Sequence, residues 1–288
     1  DWQAEFALYK QSPQFRYETG PAGMDLAAFK FIFFWEWFHR LLGRLVGLAF
    51  ALPLAWFWAR GAIPKGYKPR LVALLALGAM QGAFGWFMVR SGLSGQMTSV
   101  SHFWLSIHLC TALITLAGLV WTALDLHALD RDSAARPAIL RPLAIGASLG
   151  LFVQVLLGAW VAGLNAGLAS DTWPLMQGRI LPEANMSRGL FWAVTQDPFL
   201  LHFLHRWFAW IAFAALLALG WKALARENNA GKALIGLATG QVLLGIVTVI
   251  SGVSLWIAVG HQVTGALLVA ATAASAHAIG GRGPATRA

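Results

Sequence analysis

Charged residues are scarce in this chain, and their scarcity excludes a water-soluble protein. Only 11% of the 288 residues are Asp, Glu, Lys or Arg, whereas 58% are hydrophobic. A soluble domain needs more polar side chains than that to cover its surface. The single cysteine, Cys110, cannot form an intrachain disulfide and is interpreted as a small core residue. The sequence contains no Walker loop, dinucleotide fingerprint or basic-aromatic patch, so we expect neither nucleotide nor nucleic acid as a ligand.

Apolar runs of about 20 residues predict transmembrane helices. There are seven, near residues 31–59, 71–92, 102–124, 142–166, 202–224, 232–252 and 255–279. The predicted fold class is an all-α integral membrane protein. We divide the chain into an outer-side amphipathic segment (1–30), an N-terminal half-bundle (31–124), a cytoplasmic linker (125–141), a C-terminal half-bundle (142–279) and a cytoplasmic tail (280–288).

The two halves of the chain are related by an internal repeat. Residues 38–60 and 204–226 both open with His-Arg and close with Ala-Arg, and residues 73–94 match residues 233–254 at nine of 22 positions. The repeat predicts two four-helix bundles related by a pseudo-twofold axis. The second half has a leading helix, 142–166, without a counterpart in the first half. We therefore expect an eighth helix ahead of Asp1.

Each half of the repeat contains two histidines within predicted spans. They are His39 and His108 in the first half, and His205 and His261 in the second. Ionisable residues inside a span are costly and mark functional sites. His39, His108 and His261 lie roughly 9–12 Å below the outer surface at 1.5 Å per residue, and His205 is somewhat shallower. Two imidazoles from different helices can occupy the axial positions of one haem iron, so the pattern predicts two haem sites. The alternative is that these histidines only form hydrogen bonds between helices.

Several residues near the histidines are candidate haem contacts. Glycines beside a ligand leave room for a flat macrocycle, and an arginine near the outer surface can pair with a propionate. Snorkelling at the interface is the alternative for the arginines. Gln81 and Gln241 match in the repeat and are interpreted as interhelical hydrogen-bond donors. The candidate cofactor-binding residues are Arg40, Arg44, Arg90, Arg206, Gly43, Gly47 and Gly265.

Glu36 distinguishes the two predicted sites. It lies one helical turn before His39 on the same face, and we expect it to be buried among aromatic residues. The aligned position in the second half is Phe203 or a neighbour, none of them acidic. A carboxyl beside one iron only can move protons or stabilise a developing cation, so we predict chemistry at the first site and a permanent electron-carrying haem at the second. The alternative for Glu36 is a structural ion pair with Arg40.

The distribution of basic residues predicts the orientation of the chain. One side collects twelve: Arg60, Lys65, Lys68, Arg70, Arg131, Arg136, Arg141, Lys222, Arg226, Lys232, Arg282 and Arg287. An excess of Lys and Arg in short connections marks the cytoplasmic or matrix side. The predicted location is therefore the inner membrane of a bacterium or a mitochondrion, with membrane lipid around the helices.

These residues resemble heme A synthases of alphaproteobacteria and mitochondria. The resemblance lies in the His108 helix and in FKFIFFWEWFHR (29–40), QGAFGWFMVRSGL (81–93), AGLNAGLASDTWPLM (162–176), LHRW (204–207) and GHQVTGALL (260–268), and it covers essentially the whole chain. It implies an eight-helix protein that oxidises the C8 methyl of heme O to the formyl of heme A for haem-copper oxidases. The family's first helix is absent, and so is the outer-loop cysteine pair of some members.

The resemblance also implies a role for each site residue. His205 and His261 would hold a haem b cofactor, His39 and His108 would bind the substrate heme O, and Glu36 would be needed for turnover. A heme O synthase that hands over the substrate, an electron donor such as a ferredoxin and a second copy of the chain are candidate partners. Two other classes of function stay open, namely a dihaem b-type cytochrome that only carries electrons and a haem transporter or chaperone. Glu36 favours the enzyme, since neither of the others requires an acid at one site only.

Overall fold

The structure, a computed structural model, describes residues 1–92, 97–226 and 228–281 and is all-helical in these ranges. Its α-helices are α1 (Trp2–Tyr9), α2 (Leu26–Ala59), α3 (Lys68–Gly92), α4 (His102–Arg131), α5 (Pro142–Gly163), α6 (Leu190–Gln196), α7 (Pro198–Leu224), α8 (Asn229–Ile250) and α9 (Leu255–Gly280). Seven of them, all except α1 and α6, are long and apolar enough to cross a membrane. The predicted all-α class and the seven spans are thereby confirmed. The pseudo-twofold relation between two bundles stays a prediction.

Polar caps explain why two spans begin earlier than their apolar runs. The Asp25 carboxylate accepts a hydrogen bond from the Ala28 N–H at 2.8 Å, so α2 begins at Leu26 rather than at residue 31. The Asp197 carboxylate accepts from the Leu200 N–H at 2.8 Å, and Pro198 follows it, so α7 begins at residue 198 rather than 202. Such caps satisfy backbone N–H groups that have no partner within the helix. Hydropathy alone does not register them.

The chain forms two compact units, Asp1–Ala112 and Leu113–Ala288. In the first unit, α1 packs on the start of α2. The rings of Phe6 and Phe29 stack with their centroids 5.1 Å apart, and both side chains are buried. The predicted outer-side segment 1–30 is therefore largely helical and includes the first residues of α2. The last two residues of the first repeat segment, 93 and 94, lie outside the described residues. So do residues 282–288 of the predicted tail, which include Arg282 and Arg287.

The second unit packs around a core of small and branched apolar residues. Alanines are prominent because they allow helix backbones to approach closely. Near one end of this core the buried Asp125 carboxylate accepts hydrogen bonds from the Ala138 N–H and His277 Nε2, both at 2.9 Å. The buried core includes Ala144, Ala147, Leu151, Leu216, Leu219, Ala223, Leu234, Ala238, Leu268 and Ala276.

Candidate functional site

The first unit brings His39 of α2 next to His108 of α4. Their ring centroids are 6.4 Å apart, and the ring planes are inclined at 69°. Two metal–nitrogen bonds of about 2 Å each, extended to the ring centres, require a separation of about 6 Å. The spacing therefore fits one iron held between the two imidazoles. The structure thus brings together the two residues that the sequence predicted as one ligand pair.

His108 is held by a glutamine of the neighbouring helix. With the Gln81 amide oriented to satisfy both of its polar groups, its nitrogen lies 3.1 Å from His108 Nδ1 and 3.0 Å from the His108 carbonyl oxygen. Its oxygen accepts from the Ala112 N–H at 3.0 Å. The prediction that Gln81 forms a hydrogen bond between helices is confirmed. Among the residues that the structure describes, His39 has no hydrogen-bond partner.

The second unit contains His205 of α7 and His261 of α9, and a glutamine from another helix contacts each ring. The Gln154 amide nitrogen lies 3.1 Å from His205 Nδ1 and donates to the His205 carbonyl oxygen at 3.0 Å. The Gln241 amide nitrogen lies 3.3 Å from His261 Nε2, which confirms its predicted interhelical bond. The buried His261 Nδ1 has no hydrogen-bond partner within the described ranges. The sequence reasoning did not single out Gln154.

The donor set of these pairs fits a haem iron. At His108, His205 and His261, a glutamine amide engages one ring nitrogen, and in the described part of the chain the other nitrogen makes no hydrogen bond. A ring nitrogen that makes no other contact is accessible to a metal ion. No group of three or more His, Cys, Asp or Glu side chains placed to hold a metal ion occurs within the described ranges. Pairs of imidazoles suit a metal whose equatorial positions come from a macrocycle.

Three glycines that sequence reasoning did not predict lie against the histidine rings. A Cβ added at Gly158 would lie 2.8 Å from His205 Cε1, one at Gly245 would lie 3.2 Å from His261 Cε1, and one at Gly85 would lie 3.4 Å from His108 Cε1. By contrast, a Cβ at the predicted Gly43 or Gly47 would meet no described atom within 4 Å, and one at Gly265 would meet the Gln241 amide at 3.4 Å. The ring of His205 therefore requires glycine at position 158, the ring of His261 leaves little room for a Cβ at position 245, and the distance at Gly85 is an ordinary contact.

Arg206 is buried and directs its guanidinium into a loop. Its Nη1 donates to the Thr172 carbonyl at 2.8 Å, its Nη2 to the Ser170 carbonyl at 3.0 Å and its Nε to His202 Nε2 at 3.0 Å. Its Cζ also lies 5.7 Å from the ring centroid of Trp173. The guanidinium therefore anchors the segment between α5 and α6, a role that the sequence did not predict. Its predicted contact with haem stays a prediction.

The remaining arginine candidates lie on α2 and α3. Arg40 Nη1 is 3.7 Å from Glu36 Oε2, and the two side chains are 53% and 62% exposed within the chain. The expectation that Glu36 is buried is wrong for the described residues, because more than half of its side chain is exposed within the chain. The Arg90 Cζ lies 5.0 Å from the ring centroid of Trp86. Arg44 is exposed and forms no ion pair with a described residue.

The sequence was compared with known proteins. Residues 1–273 match the COX15-CtaA family model, described as cytochrome oxidase assembly protein. The chain belongs to this family. It is 62% identical to the heme A synthase of Erythrobacter litoralis over 97% of this chain and 83% of the relative. The identity is 54% to the heme A synthase of Novosphingobium aromaticivorans (98% and 82%) and 56% to that of Sphingopyxis alaskensis (98% and 79%).

The match to the cytochrome oxidase assembly family includes every residue of the two histidine pairs. Glu36, the four histidines and the three glutamines that contact them all lie within residues 1–273. The family resemblance inferred from the sequence motifs is thereby confirmed. The geometry of both pairs can accordingly be considered in terms of haem chemistry.

Proposed function

We propose that this chain converts heme O to heme A by successive oxidation of the C8 methyl to a formyl group, for the assembly of haem-copper oxidases. The three relatives at 54–62% identity are heme A synthases, and they align with 97–98% of this chain. The observation that carries the proposal is the His39–His108 pair, at a centroid distance of 6.4 Å, with an acidic residue one turn away on the same helix as His39. The protein is therefore an enzyme that acts on a haem.

In this proposal, the first pair binds the substrate. His39 and His108 hold the heme O iron from its two faces and so place the macrocycle between α2 and α4 of the same unit. Glu36 would act as a proton acceptor or donor beside the methyl carbon during its oxidation. Its separation from His39 by three residues places it on the same side of the helix, toward the edge of a bound macrocycle.

The second pair would hold haem b as a resident cofactor. His205 and His261 would hold it in this proposal, and the haem would supply a centre that carries single electrons. Gln154 and Gln241 hold the ligand rings, and the segment from Ser170 to Trp173, fixed by Arg206, lies next to α7. No acid aligns with Glu36 at this site, which supports retention rather than turnover.

The seven apolar helices make the chain an integral membrane protein. We propose the inner membrane, with the Lys- and Arg-rich connections on the cytoplasmic side, because short loops with excess positive charge stay there. The proposed partners are a heme O synthase as the substrate donor, a ferredoxin as the electron donor and a second copy of the chain. The first two rest on the proposed reaction, which consumes heme O and moves electrons.

A dihaem b-type cytochrome is the second candidate, since two bis-histidine pairs suffice for electron transfer. A haem transporter or chaperone is the third. Neither needs a carboxylate at one site only, and the residues that align with Glu36 are apolar or neutral. The asymmetry therefore favours the enzyme.

The test is haem analysis of the chain produced in cells that have heme O but no other heme A synthase. Haems extracted from the purified protein and from the membranes are identified by mass. We expect heme A to appear with the unaltered chain and with His127→Ala, a control on the exposed inner end of α4. His39→Ala and His108→Ala should abolish heme A. Haem b alone, without heme A in the membranes, would support the cytochrome instead.

A further inference from the structure

One short sequence pattern recurs beside the histidine rings. Gln-x3-Gly occurs three times in the chain, as QGAFG (81–85), QVLLG (154–158) and QVLLG (241–245). The first and third are related by the internal repeat, whereas the second lies on the leading helix of the second half. Each occurrence contacts a different histidine: His108, His205 and His261 respectively. The recurrence on three helices indicates a shared task.

The glutamine of each pattern makes a polar contact with a histidine ring inside a span. At His108 and His205 the same amide nitrogen also bonds the backbone carbonyl of the histidine, at 3.0 Å in both cases. An amide attached to both the ring and the backbone restricts rotation about both side-chain torsions. At His261 the amide nitrogen meets Nε2 at 3.3 Å, and Nδ1 remains without a partner among the described atoms.

The glycine of each pattern makes the approach of the ring possible. It follows the glutamine by four residues, so both lie on one face of the helix. The Cε1 atom of each ring lies 2.8–3.4 Å from the place where a Cβ would be. The helix that carries each histidine also has a small residue one turn after it. These residues are Ala112, Ala209 and Gly265. A Cβ at Gly265 would lie 3.4 Å from the Gln241 amide nitrogen.

A glutamine suits an imidazole that binds a metal. The ring nitrogen that does not bind the metal carries a proton and donates it to an oxygen acceptor, which fixes the orientation of the ring and raises its basicity as a ligand. A glutamine amide has both an acceptor oxygen and a donor N–H. The buried Gln241 oxygen has no hydrogen-bond partner among the described residues, so this amide can turn and accept from the ring. Away from water, few other groups compete for this bond.

We propose that Gln81, Gln154 and Gln241, each with its glycine, are positioning residues that hold the imidazoles of His108, His205 and His261 for haem iron and set their strength as ligands. The inference rests on the proposed function, in which these histidines bind haem. It extends that function, because Gln154 and Gln241 would help to set the reduction potential of the resident haem. At the substrate site it assigns the orientation of His108 to Gln81.

The test uses the full chain purified with its haem b and two substitutions at one position. Gln241→Leu removes the hydrogen bond, and Gln241→Glu supplies a stronger acceptor of similar size. Gln262→Leu is the matched control, since Gln262 is the exposed neighbour of His261 and lies outside the pattern. The readouts are haem b content, the midpoint potential from a spectroscopic redox titration and the g-values of the oxidised low-spin haem by electron paramagnetic resonance.

We expect opposite shifts of the midpoint potential. The carboxylate of Gln241→Glu increases electron donation by the ring and stabilises ferric iron, so the potential falls, while Gln241→Leu raises it and changes the g-values. Gln262→Leu should match the unaltered chain. If Gln241→Leu loses its haem, the midpoint potential of Gln241→Glu still tests the inference, and we expect it to be lowered. Unchanged potential and g-values in Gln241→Glu and in a haem-loaded Gln241→Leu would overturn the inference.

The histidine variants separate this inference from the proposed function. If His205→Ala and His261→Ala lose haem b while the Gln241 variants leave the potential unchanged, the ligands are right and only the positioning role fails. If haem b with unaltered g-values survives both histidine substitutions, the ligand assignment fails, and the positioning role fails with it.

Discussion

Glu36 and Arg40 form an ion pair across one turn of α2, with Glu36 Oε2 3.7 Å from Arg40 Nη1. Both side chains are more than half exposed within the chain. An exposed pair of this kind contributes only about 0.3–0.5 kcal/mol to stability. Holding the helix together is therefore a weak reason for an acid at this position. Its place one turn before His39 supports the proposed role in chemistry instead.

Glu36→Gln should stop oxidation without releasing haem. The amide keeps the size of the side chain but cannot accept a proton, and the loss of a general acid–base group typically lowers the rate roughly 10²–10⁴-fold. We expect heme O, with some partly oxidised alcohol, to accumulate in place of heme A, while haem b content is unchanged. Mass analysis of extracted haems from cells that lack another copy provides the measurement. A normal heme A yield would contradict the catalytic role and would favour the alternative, in which Glu36 is only a structural partner of Arg40.

His205→Ala and His261→Ala should each remove most of the resident haem b. An iron that has lost one of two axial imidazoles loses both affinity and its low-spin spectrum. Haem b per protein, measured from the reduced absorbance spectrum, is expected to fall at least roughly tenfold, as for the loss of about 1.4 kcal/mol or more. His127→Ala, near the C-terminal end of α4 where the side chain is exposed, should retain the haem. Survival of the low-spin spectrum in both variants would show that these residues are not the ligands.

Alanine substitutions of the glycines beside the rings should form a graded series. Gly158→Ala brings a methyl to 2.8 Å from His205 Cε1, and Gly245→Ala brings one to 3.2 Å from His261 Cε1. Overpacking costs about 1–3 kcal/mol, so Gly158→Ala should weaken haem b binding by roughly tenfold and Gly245→Ala by less. Gly240→Ala, on the same helix as Gly245 and with no described atom within 4 Å, is the control. Equal haem affinity in all three would contradict the ring contacts.

Arg206→Leu should loosen the segment between α5 and α6. The substitution removes the donors to the Ser170 and Thr172 carbonyls and to His202, and hydrogen bonds to charged groups contribute about 1.5–3 kcal/mol each. We expect a lower unfolding temperature and faster tryptic cleavage after the exposed Arg179 and Arg188. Arg44→Leu, on the exposed face of α2, should leave both unchanged. Loss of haem b at an unchanged cleavage rate would instead indicate that Arg206 pairs with a propionate.

The helices and the four histidines of the candidate sites could be predicted from the sequence because each depends on spacing along the chain. A run of apolar residues forms a span wherever it is long enough, and its ends shift only by the few residues that a cap such as Asp25 adds. The repeat identified His39, His108, His205 and His261 by position alone. Alignment of the two halves likewise showed that the first half has an acid, Glu36, where the second half has none.

The sequence by itself thus determined the membrane class, the spans, the four histidines and the family. Only the tertiary structure decided that Gln154 bonds His205, that Gly158, Gly245 and Gly85 face the rings, and that Arg206 binds the Ser170 and Thr172 carbonyls. These contacts depend on how far one helix slides and turns against another and on the path of a loop. That register results from side-chain packing between segments distant in the chain, and hydropathy and spacing along a single helix do not encode it.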